Sequence, residues 1–475
     1  MSIRIGIGLD VFGAGIDANA QTIYNRIIAD GGVSNLTRLN FFVKGLKAIY
    51  GDLANVPVCY DAHWIGYKLG SGTGATAGQA AAKLYSLTVA GDAVQATAAS
   101  QPLLLSHNGD NYLFSSGVTG NNCTTSTNNN FEVSGNWTID FNVSDLVVNG
   151  EYICKGNATN GWTIFLNAGV VRYAYFVAGV RTVDINSSAI NLVDKKWCRM
   201  QRSGNNYAWF TSTDGITFTQ VGSNVVDIVA TASIAAPLRI GQGVSFFGSP
   251  CVMKTYRAKF YNDATQTTLI TDFNPATYNA STSQTAWTSA TGEVWTISTG
   301  TATTGYKGTI VDRVIVMSDG VDDNMISTVN RANLLTQYLA VKPYINDNTV
   351  DRTVIDANGT SFQNSISLTS SLFYYVLNGF GGSKAISNTI NTLQILAAIS
   401  NAGVKNSLSK NNSGEVSDTY TPTPSSNGIF VFGKGNGAAN GKSNVILNTY
   451  IYINLADNLT IQTSTYNLLK TLNNL

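Results

Sequence analysis

One stretch occurs twice in this chain, and it constrains the fold more than anything else. Ser106-His-Asn-Gly-Asp-Asn-Tyr-Leu-Phe-Ser-Ser and Met317-Ser-Asp-Gly-Val-Asp-Asp-Asn-Met-Ile-Ser share one order of parts. An apolar run comes first (102–105 and 314–317), then a Gly/Asp turn, a large apolar residue and Ser. Each copy opens a long segment of alternating pattern, and each segment closes on a strand-like run, 250–261 in the first and 444–453 in the second. A repeated strand–turn–strand opening predicts two related all-β modules in tandem.

The intervening sequence supports that class. In Trp137-Thr-Ile-Asp-Phe-Asn-Val, Trp137, Ile139, Phe141 and Val143 alternate with Thr138, Asp140 and Asn142, the period of a half-buried strand. Further strands are predicted at 152–155, 162–167, 170–177, 197–202 and 207–211, separated by Gly/Asn/Asp turns. Thr213-Asp214-Gly215 reads as a hairpin turn leading into a strand over 216–221, because Asp-Gly accepts positive φ. In the second half, 353–356, 371–377, 392–400 and 429–433 read as strands, and 419–428, with Pro422 and Pro424, as an exposed loop. Many short strands at short spacing mean a sandwich or barrel.

The ends differ in character. Residues 1–15 read as an extended arm. Asp17 is placed to cap a helix whose stripe is Ala20, Ile23, Tyr24, Ile27 and Ile28, ended by Gly31-Gly32. A second helix is predicted over 36–50, with Leu39, Phe42, Val43, Leu46 and Ile49 on one side. Two readings of this pair stay open: an attachment module for a partner, or helices packed on the β-domain that follows. Residues 61–69 read as a strand and 80–87 as a short helix. The Thr/Ser/Gly-rich stretch 276–312, anchored by Trp287 and Trp295, reads as a docked linker. The expected division is therefore 1–60 (helical module), 61–275 (first sandwich), 276–312 (linker) and 313–475 (second sandwich). The last closes on a helix capped by Asp457 and running through Tyr466, Leu469 and Leu472.

Composition excludes several functions. Of 475 residues only 12% are charged and the formal net charge is +1, so the basic footprint of a nucleic-acid partner is absent. The polar surface must come from Ser, Thr, Asn and 45 Gly, while 44% hydrophobic content argues against disorder. No apolar run is long enough to span a bilayer, and the first residues lack a signal-peptide core. A soluble protein made in a cytoplasm, with no membrane partner, is expected. Cys59, Cys123, Cys154, Cys198 and Cys251, scattered and odd in number, predict free buried thiols.

Catalytic chemistry finds little footing. Glycoside hydrolysis needs two carboxylates facing one bond, whereas Glu132, Glu151, Glu293 and Glu415 are isolated. His63 and His107 are the only histidines, His63 reading as a packed polar residue, and no Gly-x-Ser-x-Gly elbow occurs. The chain is expected not to be an enzyme and to need no cofactor, calcium being the one metal question. Asp319, Asp322 and Asp323 (with Asn324 beside them, and Asp110 and Asn111 as a weaker echo) put oxygen ligands in one loop. The competing and favoured reading is that these carboxylates cap the turn. Trp162, Tyr173, Tyr175, Trp209, Phe246, Phe247 and Trp287 are candidates for stacking on sugar rings, against the competing reading of core packing.

Trp137-Thr-Ile-Asp-Phe, Lys196-Trp197 opening a strand, Ser212-Thr-Asp-Gly-Ile-Thr-Phe and the closing Val252-Met-Lys-Thr-Tyr-Arg-Ala-Lys-Phe-Tyr-Asn resemble the concanavalin A-like, laminin-G-type jelly roll. Val445-Ile-Leu-Asn-Thr-Tyr-Ile-Tyr-Ile-Asn-Leu, with the opening at Met317, is similar to that family again. The resemblance implies a mainly β fold: two tandem antiparallel jelly-roll sandwiches after a small helical N-terminal module. Paired modules of this kind resemble bacteriophage virion appendages (head fibre, tail fibre or decoration subunit). The resemblance implies localisation in the virion, contact with other virion proteins through the N-terminal module, a homo-oligomer with a trimer favoured, and adhesion to host glycans. The alternative is a stand-alone carbohydrate-binding or glycan-cleaving protein.

Overall fold

The computed structural model describes residues 15–70, 80–105, 110–126, 131–157, 159–167, 169–229, 231, 234–242, 250–278, 286–299, 309–319, 323, 325–329, 334–343, 352–356, 365–368, 372–376, 384–387, 393–401, 405–418, 429–431, 445–453 and 459–473. They form a mainly β protein of antiparallel sheets with helices α1 (Ala18–Ala29), α2 (Leu36–Tyr50) and α3 (Leu459–Leu472). The chain divides into two compact units, one of residues 1–106, 303–306 and 313–475, the other of 107–302 and 307–312.

The inserted unit, 107–312, is a sandwich of two 8-stranded sheets. Its central strand is Trp137–Val148, flanked by Lys196–Ser203 and Val252–Tyr261. Alternation decides which way each side chain points: Trp137, Ile139, Phe141 and Val143 are all fully buried in the shared core. They meet the opposite sheet directly, with the Trp137 and Tyr173 rings 5.0 Å apart and those of Phe141 and Tyr152 5.4 Å apart. At about 1.5–3 kcal/mol for each large side chain buried, this one strand contributes more than any single ion pair on the outer face.

The other unit has three layers. A 9-stranded sheet packs on an 8-stranded sheet, whose far side is covered by helices. Strand Val445–Ile453 shows the logic: Tyr450 and Tyr452 join the core between the sheets, while Ile451 and Ile453 join the core that holds α1, α2 and α3. Both predicted N-terminal helices form where expected, Asp17 capping α1 by accepting from Asn19 N. Their apolar stripes (Ile23, Ile27, Leu39, Phe42, Val43, Leu46) are buried within this unit's own core. The pair packs on the unit that holds 313–475, not on the 61–275 sandwich expected to follow it. Helix α2 approaches α3 closely at Gly45, where a Cβ would lie 2.9 Å from Leu468 Cδ1.

The chain is divided differently from the four consecutive segments expected. Short strands Val58–Tyr60, Ala93–Val94 and Leu103–Leu105 pair with Val445–Ile453, Met325–Ile326 and Ile315–Met317. Residues 61–106 therefore complete the unit of 313–475 rather than the first sandwich. The apolar runs of the duplicated motif lie side by side, Leu104 opposite Val316, instead of opening separate sandwiches. The expected linker also belongs to a sheet: Ala286–Thr288 and Val294–Thr299 form a hairpin on Asn121–Thr124, and Thr309–Val311 pairs with Tyr112–Ser116. Backbone hydrogen bonds between strands remote in sequence set these boundaries, and they leave no local pattern.

Local differences have local causes. Residues 61–66 turn rather than extend, because Asp61 Oδ1 accepts from His63 N and Trp64 N. Ala81–Leu84 is a strand, held by pairing to Tyr67–Leu69 despite its helix-forming alanines. After Ser212 the strand begins only at Thr219, because Asp214 Oδ1 accepts from Ile216 N and Thr217 N and holds the loop folded. Asp457, the arm 1–14 and the loop 419–428 lie outside the described residues.

Candidate functional site

The aromatic candidates are core. Trp162, Tyr173, Tyr175 and Trp209 are at most 2% exposed and Trp287 is 6% exposed, all in the sandwich interior. Phe246 and Phe247 lie outside the described residues. In the Asp loop, Asp323 is buried and its Oδ2 accepts from Asp319 N at 2.9 Å, a turn-capping bond. Asp322 lies outside the described residues, among which no cluster of three His, Cys, Asp or Glu could hold a metal. Asp110 pairs with Lys195 at 2.6 Å, and Asn111 donates to Pro275 O.

The carboxylates and histidine that could serve catalysis are tied into structure. Glu132 pairs with Lys155, whose ammonium is pulled below its ordinary value by burial against the opposing pull of Glu132. Glu293 accepts from Ser289 and Thr291 hydroxyls. His63 Nδ1 accepts from Val314 N at 3.2 Å and lies 3.3 Å from Arg38, the packed role expected; His107 lies outside the described residues. All five cysteines are free and buried.

A different constellation lies on the outward side of the Trp137 sheet. The alternation that sends Ile139 and Phe141 inward sends Thr138, Asp140, Asn142 and Ser144 outward. Pairing register then builds rows across the strands: Arg199 and Lys259 stand opposite Asp140, and Trp197 and Arg257 stand opposite Asn142. Asp272 continues the first row, opposite Lys259. The result is a ladder of alternating charge. Arg199 grips Asp140 with two bonds of 2.6 and 2.8 Å, and Arg257 grips Asp272 with bonds of 3.0 and 2.8 Å. Arg199 also lies over the Phe218 ring, 3.7 Å from its centroid.

Two polar groups on this face have no hydrogen-bond or ion-pair partner among the described residues. The Asn142 side chain is 7% exposed, and its buried Oδ1 accepts nothing. Core atoms in this sandwich, such as Trp137 Nε1 and the Tyr152, Tyr173 and Tyr207 hydroxyls, likewise have no hydrogen-bond partner among the described residues. Lys259, half-buried, reaches neither Asp140 nor Asp272 within ion-pair distance; its Nζ sits 5.5 Å from the Trp197 ring centre. Burial and then Arg257 hold its pKa below the ordinary value, against the opposing pull of the two aspartates. A cation over an aromatic ring at so open a site is worth about 0.5–1 kcal/mol. A hydrogen bond to a charged acceptor is worth about 1.5–3 kcal/mol, so an incoming anionic oxygen can draw Lys259 off the ring.

Trp197 is fixed from behind. Loop residue Gly215, at φ +72°, rests on it so closely that a Cβ would fall 2.6 Å from Trp197 Cε2. The face continues through Tyr256, which shares a bond with Ser144 and lies under Lys195, and Tyr112, which lies under Lys254. Trp197 was the aromatic to single out: with Cys198 and Met200 inward, strand parity puts it outward. The orphaned amide leaves no trace in sequence, because it is defined by what fails to reach it.

Comparisons with known proteins give only remote likenesses. No family model matches, and no curated protein matches. Among solved structures, domains LG4-5 of the mouse laminin alpha1 chain align with 72% of this chain and 88% of their own at 10% identity and a TM-score of 0.30. The receptor-binding domain of botulinum neurotoxin type G aligns with 33% of this chain and 43% of its own at 14% identity and a TM-score of 0.27. A CBM40 domain of a Ruminococcus gnavus IT-sialidase, solved with alpha2,3 sialyllactose, aligns with 32% of this chain and 92% of its own at 10% identity and a TM-score of 0.24.

Proposed function

We propose that this protein is a structural component of a bacteriophage virion, a head-fibre, tail-fibre or decoration subunit, whose inserted sandwich adheres to host-surface glycans. The observation that carries the adhesive part is the half-buried Trp197 on the outward face, with the Lys259 ammonium over its ring and no carboxylate bonded to that ammonium among the described residues. A sugar offers such a place a C–H face for the indole and hydroxyls for the polar side chains around it. Turn-capped and hydroxyl-bound carboxylates favour binding over hydrolysis. Neutral, Ser/Thr/Asn-rich composition with a net charge of +1 suits a surface exposed on a particle, and it leaves copies free to assemble without mutual repulsion.

The virion role is tested by mass spectrometry and antibody labelling of purified particles, joined to light scattering of the isolated protein. Stoichiometric presence in particles and a stable multimer, with a trimer expected, support it. A monomer absent from particles but binding polysaccharide would support a stand-alone carbohydrate-binding protein instead.

A further inference from the structure

We propose that Lys259 makes the outward face of the Trp137 sheet selective for sugars that carry a carboxylate; this rests on the glycan-adhesion reading above. Charges on the face lead to that choice. Arg199 and Arg257 each hold a carboxylate through Nε and Nη2, so each of these cations already has its counter-charge. Asp140 and Asp272 are 3% exposed and closed off by those same arginines. Lys259 is what remains: a cation with no bonded carboxylate, close to the Asn142 row and reaching toward Trp197. Counting Arg199, Arg257 and Lys259 against Asp140 and Asp272, the ladder carries one surplus positive charge, and it resides on the side chain that is free to move.

A neutral sugar that stacks on Trp197 must move Lys259 off the indole and gives the ammonium nothing in return. A ring bearing a carboxylate moves it too but gives the ammonium a charged oxygen, so Lys259 exchanges a ring contact for an ion pair. Specificity then comes from one side chain, and affinity for the ring itself from Asn142 and Trp197.

The test compares oligosaccharides identical except that the uronate carboxyl of one is reduced to the alcohol. Binding to the full-length protein is measured by titration calorimetry at low and physiological salt. The wild type is expected to prefer the carboxylated member by about tenfold, a single charge-assisted contact. Lys259→Met is expected to bring that ratio to near unity, whereas Asn142→Ala and Trp197→Ala weaken both members. Circular dichroism and melting confirm that each variant folds. A wild-type ratio near unity, or a ratio that survives in Lys259→Met, overturns the role of Lys259 and leaves the adhesive face standing if Asn142→Ala and Trp197→Ala still lose binding. No binding of either member to the wild type overturns both.

Discussion

Asp61 offers a sharp test of how the three-layer unit is held together. Its carboxyl is buried beneath the last strand: Oδ1 accepts from two backbone N–H groups, and Oδ2 accepts from the Thr449 hydroxyl. The same knot ties down the chain end, since Arg313 donates to Leu472 O and Asn473 Oδ1, and Trp64 Nε1 donates to Leu472 O. Burial is the largest influence on Asp61, outweighing its hydrogen bonds and Arg313, and it pushes the pKa from the ordinary 3.8 up to about 6. That difference corresponds to about 3 kcal/mol. A raised folded-state pKa means this stability is present in full below about pH 4 and is lost as pH rises through 6. Asp61→Asn removes the ionisation but turns one acceptor into a donor facing Thr449, a loss of about 1 kcal/mol. The Asp61→Asn variant should therefore be more stable than the wild type at pH 8 by roughly 2 kcal/mol, about equal to it near pH 4.5 and less stable than it near pH 3. The assay follows urea unfolding by the fluorine resonance of 5-fluorotryptophan at Trp64, which is the one tryptophan in this unit of the seven in the chain. Stability curves that run parallel from pH 4.5 to 8, with the variant weaker throughout, would refute the reasoning.

Other consequences follow from the same physics. The Tyr173 hydroxyl is buried and without a hydrogen-bond partner among the described residues, so Tyr173→Phe should be neutral or stabilise by about 1 kcal/mol in denaturant titrations; a loss above that would mean a bound water holds the hydroxyl. Arg199→Ala leaves Asp140, whose side chain is 5% exposed, as an uncompensated buried charge, and should destabilise the sandwich by about 2–4 kcal/mol. Adding Asp140→Ala should restore part of that, and strict additivity in the double-mutant cycle would contradict the pairing. Burial raises the thiols of Cys59, Cys123, Cys198 and Cys251, Cys198 up to about 12, and all five cysteines are buried, so a thiol reagent at pH 8 should label none of them in the native protein and all of them in urea.

How legible was this protein in its sequence? Local pattern carried the elements it governs. The alternation in Trp137–Val148 marked a strand with the right inward face, and the Asp17 cap and the apolar stripe over 36–50 marked two helices at the expected places. Pairing between distant strands was not legible. Leu103–Leu105 and Ile315–Met317 lie together because the inserted unit leaves and rejoins one sheet there, so the duplicated motif reports neighbouring strands and not repeated domains. The strand aromatics named as stacking candidates are core, the competing reading, because strand parity and not residue type decides exposure: Trp162 and Trp209 point inward, Trp197 outward. Asn142 reads in sequence like any outward strand residue, and only the surrounding geometry shows that nothing bonds to it.

If the outward face around Asn142, Trp197 and Lys259 is where this protein meets a glycan, covalent footprinting will show it without any substitution. Oxidation of Trp197 and acetylation of Lys259 are measured with and without saturating host-surface glycan, with Lys68 and Lys410 of the other unit as references. Protection of Trp197 and Lys259 by more than about fivefold, with the references unchanged, is predicted. Protection elsewhere with Trp197 and Lys259 still reactive, or none while glycan binding is measured independently, would contradict it.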